Sequence, residues 1–306
     1  MKENDTRIYM SGNTPKSYYP LNVYLREKFG KKMIKLSIDG GFTCPNRDGT
    51  AGTGGCIFCS DSGSGEFASD IDGQIELLST KWPDTGYLAY FQNHTNTYAP
   101  ADELRAKYEK VLSNPLIEGI AIATRPDCLP EDVLNLLSEI NENRFMWVEL
   151  GLQTVHEKTA EEINRCYSLD VFDRAVNELK SRGIRTVVHL ILGLPGESRD
   201  DMTESVRYVC GKGIWGLKLH LLNVIKDTAL EKKYPDFVSF KSPDEYINFV
   251  CDLLEIIPPD VVIHRLTGDV PRKLLVSPAW SYRKRTILNG IDGEMRRRGS
   301  VQGCRL

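Results

Sequence analysis

Short apolar segments alternate with amphipathic helical segments along most of this 306-residue chain, and this alternation limits the folds that it can adopt. Strands that alternate with helices form βαβ units, whose crossover helices make neighbouring strands parallel. The sequence therefore predicts an α/β protein built on a parallel sheet. The predicted strands are 33–38, 87–92, 118–123, 146–151, 186–192 and 216–222, and the predicted helices include 101–112, 130–141, 157–164, 170–182 and 199–211.

Six such units are too few for a closed eight-stranded barrel, so we predict a partial (β/α)6 TIM-like barrel. A further apolar run at 261–266 is a candidate strand that would extend it. The sequence has no internal repeat, low-complexity segment or linker. We expect one domain, 1–306, made of an N-terminal extension (1–32), a barrel core (33–225) and a C-terminal extension (226–306).

Composition and charge limit the cellular compartment and the binding partners that we expect for this chain. Hydrophobic residues make up 41% and charged residues 26%, which are globular values, and no apolar run is long enough to span a membrane. Eight cysteines without extracellular signs favour free thiols in a reducing compartment, so we expect a cytoplasmic protein without a membrane partner. The net charge of −3 predicts no overall affinity for nucleic acid, but 263–306 contains ten Lys and Arg against three acidic residues.

Three cysteines, Cys44, Cys56 and Cys59, lie in a glycine-rich loop directly after the first predicted strand. Three thiolates are one fewer than a closed zinc site or a closed iron–sulfur cluster uses. A [4Fe–4S] cluster on three cysteines keeps one iron open, which S-adenosylmethionine (SAM) can chelate through its amino and carboxylate groups. Zinc and a redox disulfide remain alternatives, although possible fourth ligands such as His94 and Cys128 lie far along the chain.

Polar residues follow all six predicted strands, which is where the functional residues of such barrels gather. The second strand is followed by QNHTNTYAP, the third by Thr124–Asp127 and the fourth by Gln153-Thr154. The fifth is followed by GLPGES and the sixth by Asn223. Because surface loops are polar in general, this pattern supports a site at that edge only modestly.

Three segments together resemble the radical SAM superfamily: CPNRDGTAGTGGCIFC, ATRPD, and the long run from VELGLQ to GLPGES. They are most similar to the radical SAM domain of the Elongator catalytic subunit, a tRNA wobble-uridine modifier, and to the stand-alone YtqA/YhcC-type subgroup. The resemblance covers about residues 20–270. The chain departs from the family where QNHTNT replaces a glycine-rich GGE segment, and where Ala123 replaces a frequent acid.

The resemblance implies roles for individual residues. Cys44, Cys56 and Cys59 would hold the cluster, and the remaining five cysteines would hold no second one. The residues that would contact SAM are Phe58 near the adenine, Gln92 and Asn93 at the amino group, Glu149 and Gln153 at the ribose or carboxylate, Arg165 at the carboxylate, and Gly193, Leu194 and Gly196 beside the adenine.

Each of these roles has a structural alternative. Glu149 could instead form a buried ion pair with Arg125 or Lys218. Arg165 could be an exposed cation at the end of a helix. The GLPG segment could be a tight strand-to-helix connection.

The candidate substrate contacts come from two parts of the sequence. The predicted barrel supplies His94, Arg125, His189 and His220, of which the last two histidines are equally compatible with a structural role. The basic C-terminal end supplies Arg283, Lys284 and Arg285 next to Tyr282, which together could bind phosphates and stack on a base. A solvated basic end without a function is the alternative.

The function implied by the resemblance is reductive cleavage of SAM to a 5′-deoxyadenosyl radical, with flavodoxin or ferredoxin as the one-electron donor. The implied substrate is tRNA, in which 5-carboxymethylaminomethyl(-2-thio)uridine would be converted to the 5-aminomethyl form. Two alternatives remain open. One is a radical SAM enzyme that acts on a small molecule or peptide, and the other is a non-enzymatic metal-cluster module that binds RNA.

Overall fold

The structure, a computed structural model, describes residues 7–61, 63, 68–69, 71–79 and 85–306, so the first six residues of the predicted N-terminal extension lie outside it. Its strands are β1 (Tyr9–Ser11), β2 (Thr14–Lys16), β3 (Met33–Ile38), β4 (Gly86–Phe91), β5 (Ile117–Thr124), β6 (Phe145–Gln153), β7 (Arg185–Leu192), β8 (Gly216–Leu221), β9 (Val224–Ile225), β10 (Val262–Arg265) and β11 (Leu275–Ser277). Its helices are α1 (Leu21–Phe29), α2 (Ile71–Ser79), α3 (Ala101–Leu112), α4 (Glu131–Asn143), α5 (Glu157–Glu162), α6 (Leu169–Ser181), α7 (Arg199–Gly211), α8 (Ala229–Lys233), α9 (Pro243–Ile256), α10 (Lys284–Arg298) and a 3₁₀ turn at Ala279–Tyr282.

Seven strands form one sheet in the order β10-β8-β7-β6-β5-β4-β3. The pairs β3–β4, β4–β5, β5–β6 and β8–β10 are parallel, as the alternation of strands and helices predicts. All six predicted strands are present, and the further candidate at 261–266 forms the edge strand β10. The helix predicted at 157–164 ends earlier, at Glu162, because Asn164 adopts a left-handed φ of 56°.

The chain divides into two compact units. The cysteine unit comprises Leu25–Leu152 and Ala160–Val188, and the terminal unit comprises Met1–Tyr24, Gln153–Thr159 and His189–Leu306. The single-domain organisation and its boundaries remain a prediction.

The cysteine unit contains β3 to β6 and helices that pack on them. All residues of β4 and nearly all of β5 are buried, as in strands of a parallel sheet that is covered on both faces. In α4 the apolar residues recur at helical spacing, and Val133, Leu137 and Ile140 are buried. This helix begins after Pro130 with Glu131 and Asp132, whose charges suit the positive end of the helix dipole.

The terminal unit contains β8 and β10 together with helices that begin at clear caps. Helix α7 opens with a capping box between Ser198 and Asp201, and α9 is capped by Ser242. The N-terminal segment of the chain runs along β10, where the Ile263 N–H donates to the Tyr19 carbonyl at 2.7 Å. The buried Gln302 accepts from the Tyr19 N–H at 2.8 Å, which holds the two ends of the chain together in this unit.

Candidate cluster and cofactor site

The cysteine loop, residues 41–60, leaves the end of β3 and contains the three predicted cluster ligands. Cys44, Cys56 and Cys59 are free thiols, and all three are partly buried. The Cys59 N–H donates to the Cys56 carbonyl at 3.0 Å, so the C-x-x-C segment is a turn. Gly54 and Gly55 have φ values of 78° and 75°, which residues with a Cβ rarely adopt, so the preceding turn depends on glycine.

The three sulfur atoms share one electrostatic environment. Burial raises the pKa of Cys56. The neighbouring Cys59 and Cys44 raise it further because thiolate charges repel, whereas the positive charge of Arg125 lowers it. Among the described residues, no three His, Cys, Asp or Glu side chains form a group that could hold a metal ion. Zinc needs ligands that converge on one point, whereas a [4Fe–4S] cluster binds each thiolate through a different iron. These thiols stay the predicted ligands of a cluster, with zinc as the alternative.

The clasp, residues Ile163 and Asn164, fixes the cysteine loop from outside. The Ile57 N–H donates to the Ile163 carbonyl at 3.1 Å. The Asn164 side chain donates to the Thr53 carbonyl at 3.0 Å and to the Gly55 carbonyl at 2.7 Å. Asparagine tolerates the left-handed conformation found here and supplies the donors as well. The loop geometry is thus set by a segment more than a hundred residues away.

Asn46 connects the clasp to a cysteine sulfur. Its side-chain nitrogen lies 3.6 Å from Cys56 Sγ and also donates to the Asn164 carbonyl. The residue is completely buried, and a Cβ at Gly52 would lie only 2.3 Å from its side-chain oxygen. Sequence analysis missed Asn46 and Asn164. The available signal was an asparagine two positions after Cys44 in a glycine-rich loop.

Two buried arginines and a partly buried tyrosine form a cluster, here called a sandwich, in the cysteine unit. The Arg125 and Arg165 guanidinium carbons lie 5.0 and 4.6 Å from the centre of the Tyr167 ring. Arg125 forms a bidentate pair with Asp127 at 2.9 and 2.7 Å and donates to the Arg165 carbonyl at 2.9 Å. Arg165 donates to the carbonyls of Tyr167 and Leu152 at 3.0 and 3.3 Å.

These contacts rule out the structural alternative for Arg165 and identify the ion-pair partner of Arg125. Arg165 is only 1% exposed, so the reading as an exposed cation at a helix end is wrong. Arg125 pairs with Asp127, and its positive charge lowers the pKa of Cys56. The roles of Arg165 at the SAM carboxylate and of Arg125 at the substrate remain predictions. Tyr167, the centre of the sandwich, was not identified from the sequence.

The loop after β4, which replaces the family's GGE segment, meets the cysteine loop directly. The Thr95 N–H donates to the carbonyl of Thr43, the residue before Cys44, at 3.2 Å. Within the described ranges, three buried oxygens of this loop have no hydrogen-bond partner: Asn93 Oδ1, Thr95 Oγ1 and Asn96 Oδ1. Buried polar atoms are nearly always paired, so these oxygens fit a missing donor. The amino group of SAM carries N–H donors, and the site therefore fits this cofactor.

The other predicted contacts in the cysteine unit have mixed surroundings. Phe58 and Gln92 are partly buried, and Gln92 accepts from Ser37 Oγ at 3.2 Å. His94 has a left-handed φ of 58°, and burial lowers its pKa, which favours the neutral imidazole.

Glu149 is completely buried among protein groups. Its carboxylate accepts from the Tyr90 hydroxyl at 2.7 Å and from the Trp147 indole N–H at 2.8 Å, with Lys35 Nζ at 4.0 Å. A buried pair was the structural alternative for Glu149. Lys35 supplies a partner that the sequence did not suggest, and the contact with ribose remains a prediction.

The terminal unit contains the remaining cofactor candidates. Gln153 has a φ of 72° at the end of β6. Gly193 has a φ of 88°, and a Cβ there would lie 2.7 Å from Ser239 Cβ, so only glycine fits. Leu194 is buried, and Gly196 has a φ of 84°.

The two candidate histidines of the terminal unit lie together. The rings of His189 and His220 are 5.1 Å apart, on β7 and β8. Their contact with substrate remains a prediction, as does the alternative structural role.

Among the described residues, some cations of the basic C-terminal end pair with carboxylates and others do not. Lys284 pairs with Asp269 at 2.5 Å, and Arg297 and Arg298 both pair with Glu294 at 2.7 Å. The exposed Tyr282 has guanidinium groups near its ring from Arg272 at 4.7 Å and Arg283 at 5.5 Å. The Arg283 Nε–H also donates to the Tyr282 hydroxyl at 3.0 Å. Arg272 was not among the predicted contacts.

Comparisons with known proteins agree with the predicted family. Residues 46–209 match the model described as the radical SAM superfamily, and residues 214–297 match the radical SAM C-terminal domain. The uncharacterised protein YtqA of Bacillus subtilis is 48% identical over 312 residues, covering 99% of this chain and 96% of that protein. Elongator complex protein 3 of Danio rerio is 28% identical over 171 residues, covering 54% of this chain and 30% of that protein.

A solved structure supports the fold. The archaeal Elp3 of Methanocaldococcus infernus matches with a TM-score of 0.66 at 18% identity, covering 88% of this chain and 64% of that chain. The resemblance to this family and the α/β partial-barrel fold class are therefore confirmed. Among the described residues, no helix is long and apolar enough to cross a membrane.

Proposed function

The chain belongs to the radical SAM superfamily, and from this premise we propose that it modifies the wobble uridine of tRNA. Its cofactors are a [4Fe–4S] cluster and SAM, which when bound supply a 5′-deoxyadenosyl radical able to remove hydrogen from an unactivated carbon. Such enzymes need a one-electron donor, and we expect flavodoxin or ferredoxin in the cytoplasm.

The chain's own residues would bind and orient these groups. Cys44, Cys56 and Cys59 would hold the cluster, and the unpaired oxygen of Asn93 would accept from the SAM amino group. The positive charge of the Arg125 guanidinium acts on Cys56 and opposes the rise in its pKa that burial causes, which favours anionic sulfur. This arrangement, three thiols beside a loop with unpaired acceptors at the ends of β3 and β4, is the observation that carries the catalytic part.

The proposed substrate is 5-carboxymethylaminomethyluridine, or its 2-thio form, and the proposed product is the 5-aminomethyl form. The carbon between the amine and the carboxylate of this side chain is a chemically suitable site for hydrogen removal, because both neighbours stabilise a radical there. The resemblance to the Elongator catalytic subunit supports tRNA as the substrate. The exposed cations around Tyr282 provide a surface of suitable charge.

Spectroscopy of the reconstituted protein tests the cluster. After anaerobic reconstitution and reduction, we expect an EPR signal of a [4Fe–4S]⁺ cluster that changes when SAM is added. The signal should be lost in Cys56→Ala and kept in Cys304→Ser, because Cys304 is an exposed cysteine outside the loop. Stoichiometric zinc without such a signal would contradict the proposal.

Nucleoside analysis tests the substrate. In tRNA from cells lacking the gene, we expect the carboxymethylaminomethyl nucleoside to accumulate and the aminomethyl nucleoside to fall. The wild-type gene should restore the pattern and Cys56→Ala should not. Unchanged nucleosides, together with SAM cleavage by the purified protein in the absence of tRNA, would favour a small-molecule or peptide substrate. An intact cluster that never cleaves SAM would favour a non-enzymatic RNA-binding module.

A further inference from the structure

We propose that Arg272, Tyr282, Arg283 and Arg285, here called the Tyr282 patch, bind an unpaired loop of RNA by base stacking and phosphate contact. The inference rests on the proposed function, since it names the surface that holds the tRNA. It assigns the contact to four residues and excludes most of the other cations of the basic C-terminal end.

The first argument is the availability of the charges. In the part of the chain that the structure describes, no carboxylate lies within ion-pair distance of Arg272, Arg283 or Arg285. Their guanidinium forks are therefore open to the bidentate contact that phosphates favour. Arg298, by contrast, contacts Glu294, Asp252 and Glu255 and has its charge compensated within the fold.

The second argument is the exposure of the aromatic ring. Tyr282 is 40% exposed, which is high for a large side chain with two cations already placed beside it. Proteins that bind single-stranded nucleic acid combine such a ring with a positive surface, because every base can stack on it and the backbone follows the charge. The Arg283 Nε–H donates to the hydroxyl of this ring, which leaves the ring face available for stacking.

The third argument is the charge at the start of α10. This helix has no acidic residue in its first turn, which instead carries Lys284 and Arg285. The helices α3, α4, α7 and α9 each begin with two acidic residues, as the helix dipole favours. The positive charges at this end of α10 are unfavourable for folding, and a bound phosphate would relieve the repulsion. Local rules of this kind are commonly broken where a protein binds a ligand.

Binding of an anticodon stem–loop RNA to the reconstituted protein tests the proposal. We would measure the dissociation constant by fluorescence anisotropy over a range of KCl concentrations. For Arg272→Ala/Arg283→Ala we expect weaker binding and a log–log salt slope smaller by about 1.4, since each lost phosphate contact on single strands contributes roughly 0.7. For Tyr282→Ala we expect about tenfold weaker binding with an unchanged slope, and Tyr282→Phe should bind like the wild type.

Arg297→Ala is the matched control, because Arg297 is an exposed arginine of the same helix that is already paired with Glu294. It should leave affinity and salt slope unchanged. Wild-type affinity in both Tyr282→Ala and the double arginine variant would overturn the patch, even if nucleoside analysis still confirmed tRNA modification. A wild-type protein that binds an acidic peptide but not this RNA would overturn it too. Failure of the proposed function is distinguishable, since it appears as unchanged nucleosides in the deletion strain.

Discussion

Two tyrosines of this chain each have two guanidinium groups close to the ring, but the arginines of one such sandwich are buried and those of the other are exposed. Around Tyr167, the guanidinium groups of Arg125 and Arg165 donate to a carboxylate and to backbone carbonyls. Around Tyr282, the guanidinium groups of Arg272 and Arg283 contact the ring and its hydroxyl.

The comparison shows that arginines beside a tyrosine ring can either stabilise the fold or bind a ligand. Buried donors must be paired with protein groups, because an unpaired buried charge is very costly, so the sandwich around Tyr167 fixes the backbone beside the cysteine loop. Exposed donors can remain paired with water until a ligand replaces it, so the sandwich around Tyr282 is suited to binding. Substitutions at equivalent positions should therefore affect stability in one sandwich and ligand affinity in the other.

The largest expected effect on stability comes from Tyr167→Ala. Removing this partly buried ring should lower the free energy of unfolding by about 3 kcal/mol, because it leaves a cavity and removes the ring on which both guanidinium groups pack. Chemical denaturation of the apoprotein would measure this. Tyr282→Ala is the matched substitution and should leave the unfolding midpoint unchanged. Equal unfolding midpoints for the two variants would contradict the proposed difference between the two sandwiches.

Arg125→Gln should be the next largest effect. It removes the two charge-assisted hydrogen bonds to the Asp127 carboxylate, and because Asp127 itself reaches solvent the loss should cost about 2 kcal/mol. Arg125→Lys should restore only part of this loss, because an ammonium group cannot form the two parallel contacts. Arg283→Gln, measured in the same way, should not alter stability. Full recovery with lysine would show that charge alone, without the fork geometry, is what matters.

Asn46→Asp should have a moderate effect that is specific to the cysteine loop. The substitution keeps the shape but removes the N–H donors to Cys56 Sγ and to the Asn164 carbonyl. Loss of a hydrogen bond to a cluster sulfur, together with added negative charge, should lower the reduction potential. An EPR-monitored redox titration of the reconstituted protein would measure the shift. Asn141→Asp, at an exposed helix position, is the control, and equal potentials in both variants would contradict the role of Asn46.

The smallest expected effect is a difference in tyrosine ionisation. The Arg283 hydrogen bond and charge lower the pKa of Tyr282, since both favour the phenolate. Burial raises the pKa of Tyr167, since the anion is disfavoured away from water. In a spectrophotometric titration, Tyr282 should therefore ionise early as pH rises, whereas Tyr167 should remain protonated until the fold opens. Tyr282→Phe should remove an early component, and its persistence would contradict the exposed sandwich.

Much of the fold could be predicted from the sequence, in the parts where the signals for helices and strands are local. Helix α7 has its predicted bounds, 199–211, because Ser198 caps its start and Gly213 follows its end. Helices α9 and α10 were not predicted, although Ser242-Pro243 and Gly299 are ordinary helix start and stop signals. Both helices lie beyond the predicted barrel core, in the predicted C-terminal extension.

The candidate site was accessible only in part. The spacing of Cys44, Cys56 and Cys59 is visible in the sequence, because a loop of twenty residues carries all three. The clasp could not be predicted from the sequence, since Asn164 lies over a hundred residues beyond the loop that it holds. Arg165 could not be placed from sequence either, because its burial depends on Tyr167 and on a carbonyl of β6.

The sequence by itself determined the order of strands and helices and the three thiols after β3, since these follow from local periodicity and spacing, and its motifs indicated the family by resemblance. Only the tertiary structure decided which polar groups meet. Of the ten cations between 263 and 306, it paired Arg298 with three carboxylates and left Arg272 and Arg283 beside an exposed ring. The physical reason is that a charge is compensated or available according to its neighbours in space, and sequence separation does not specify those neighbours.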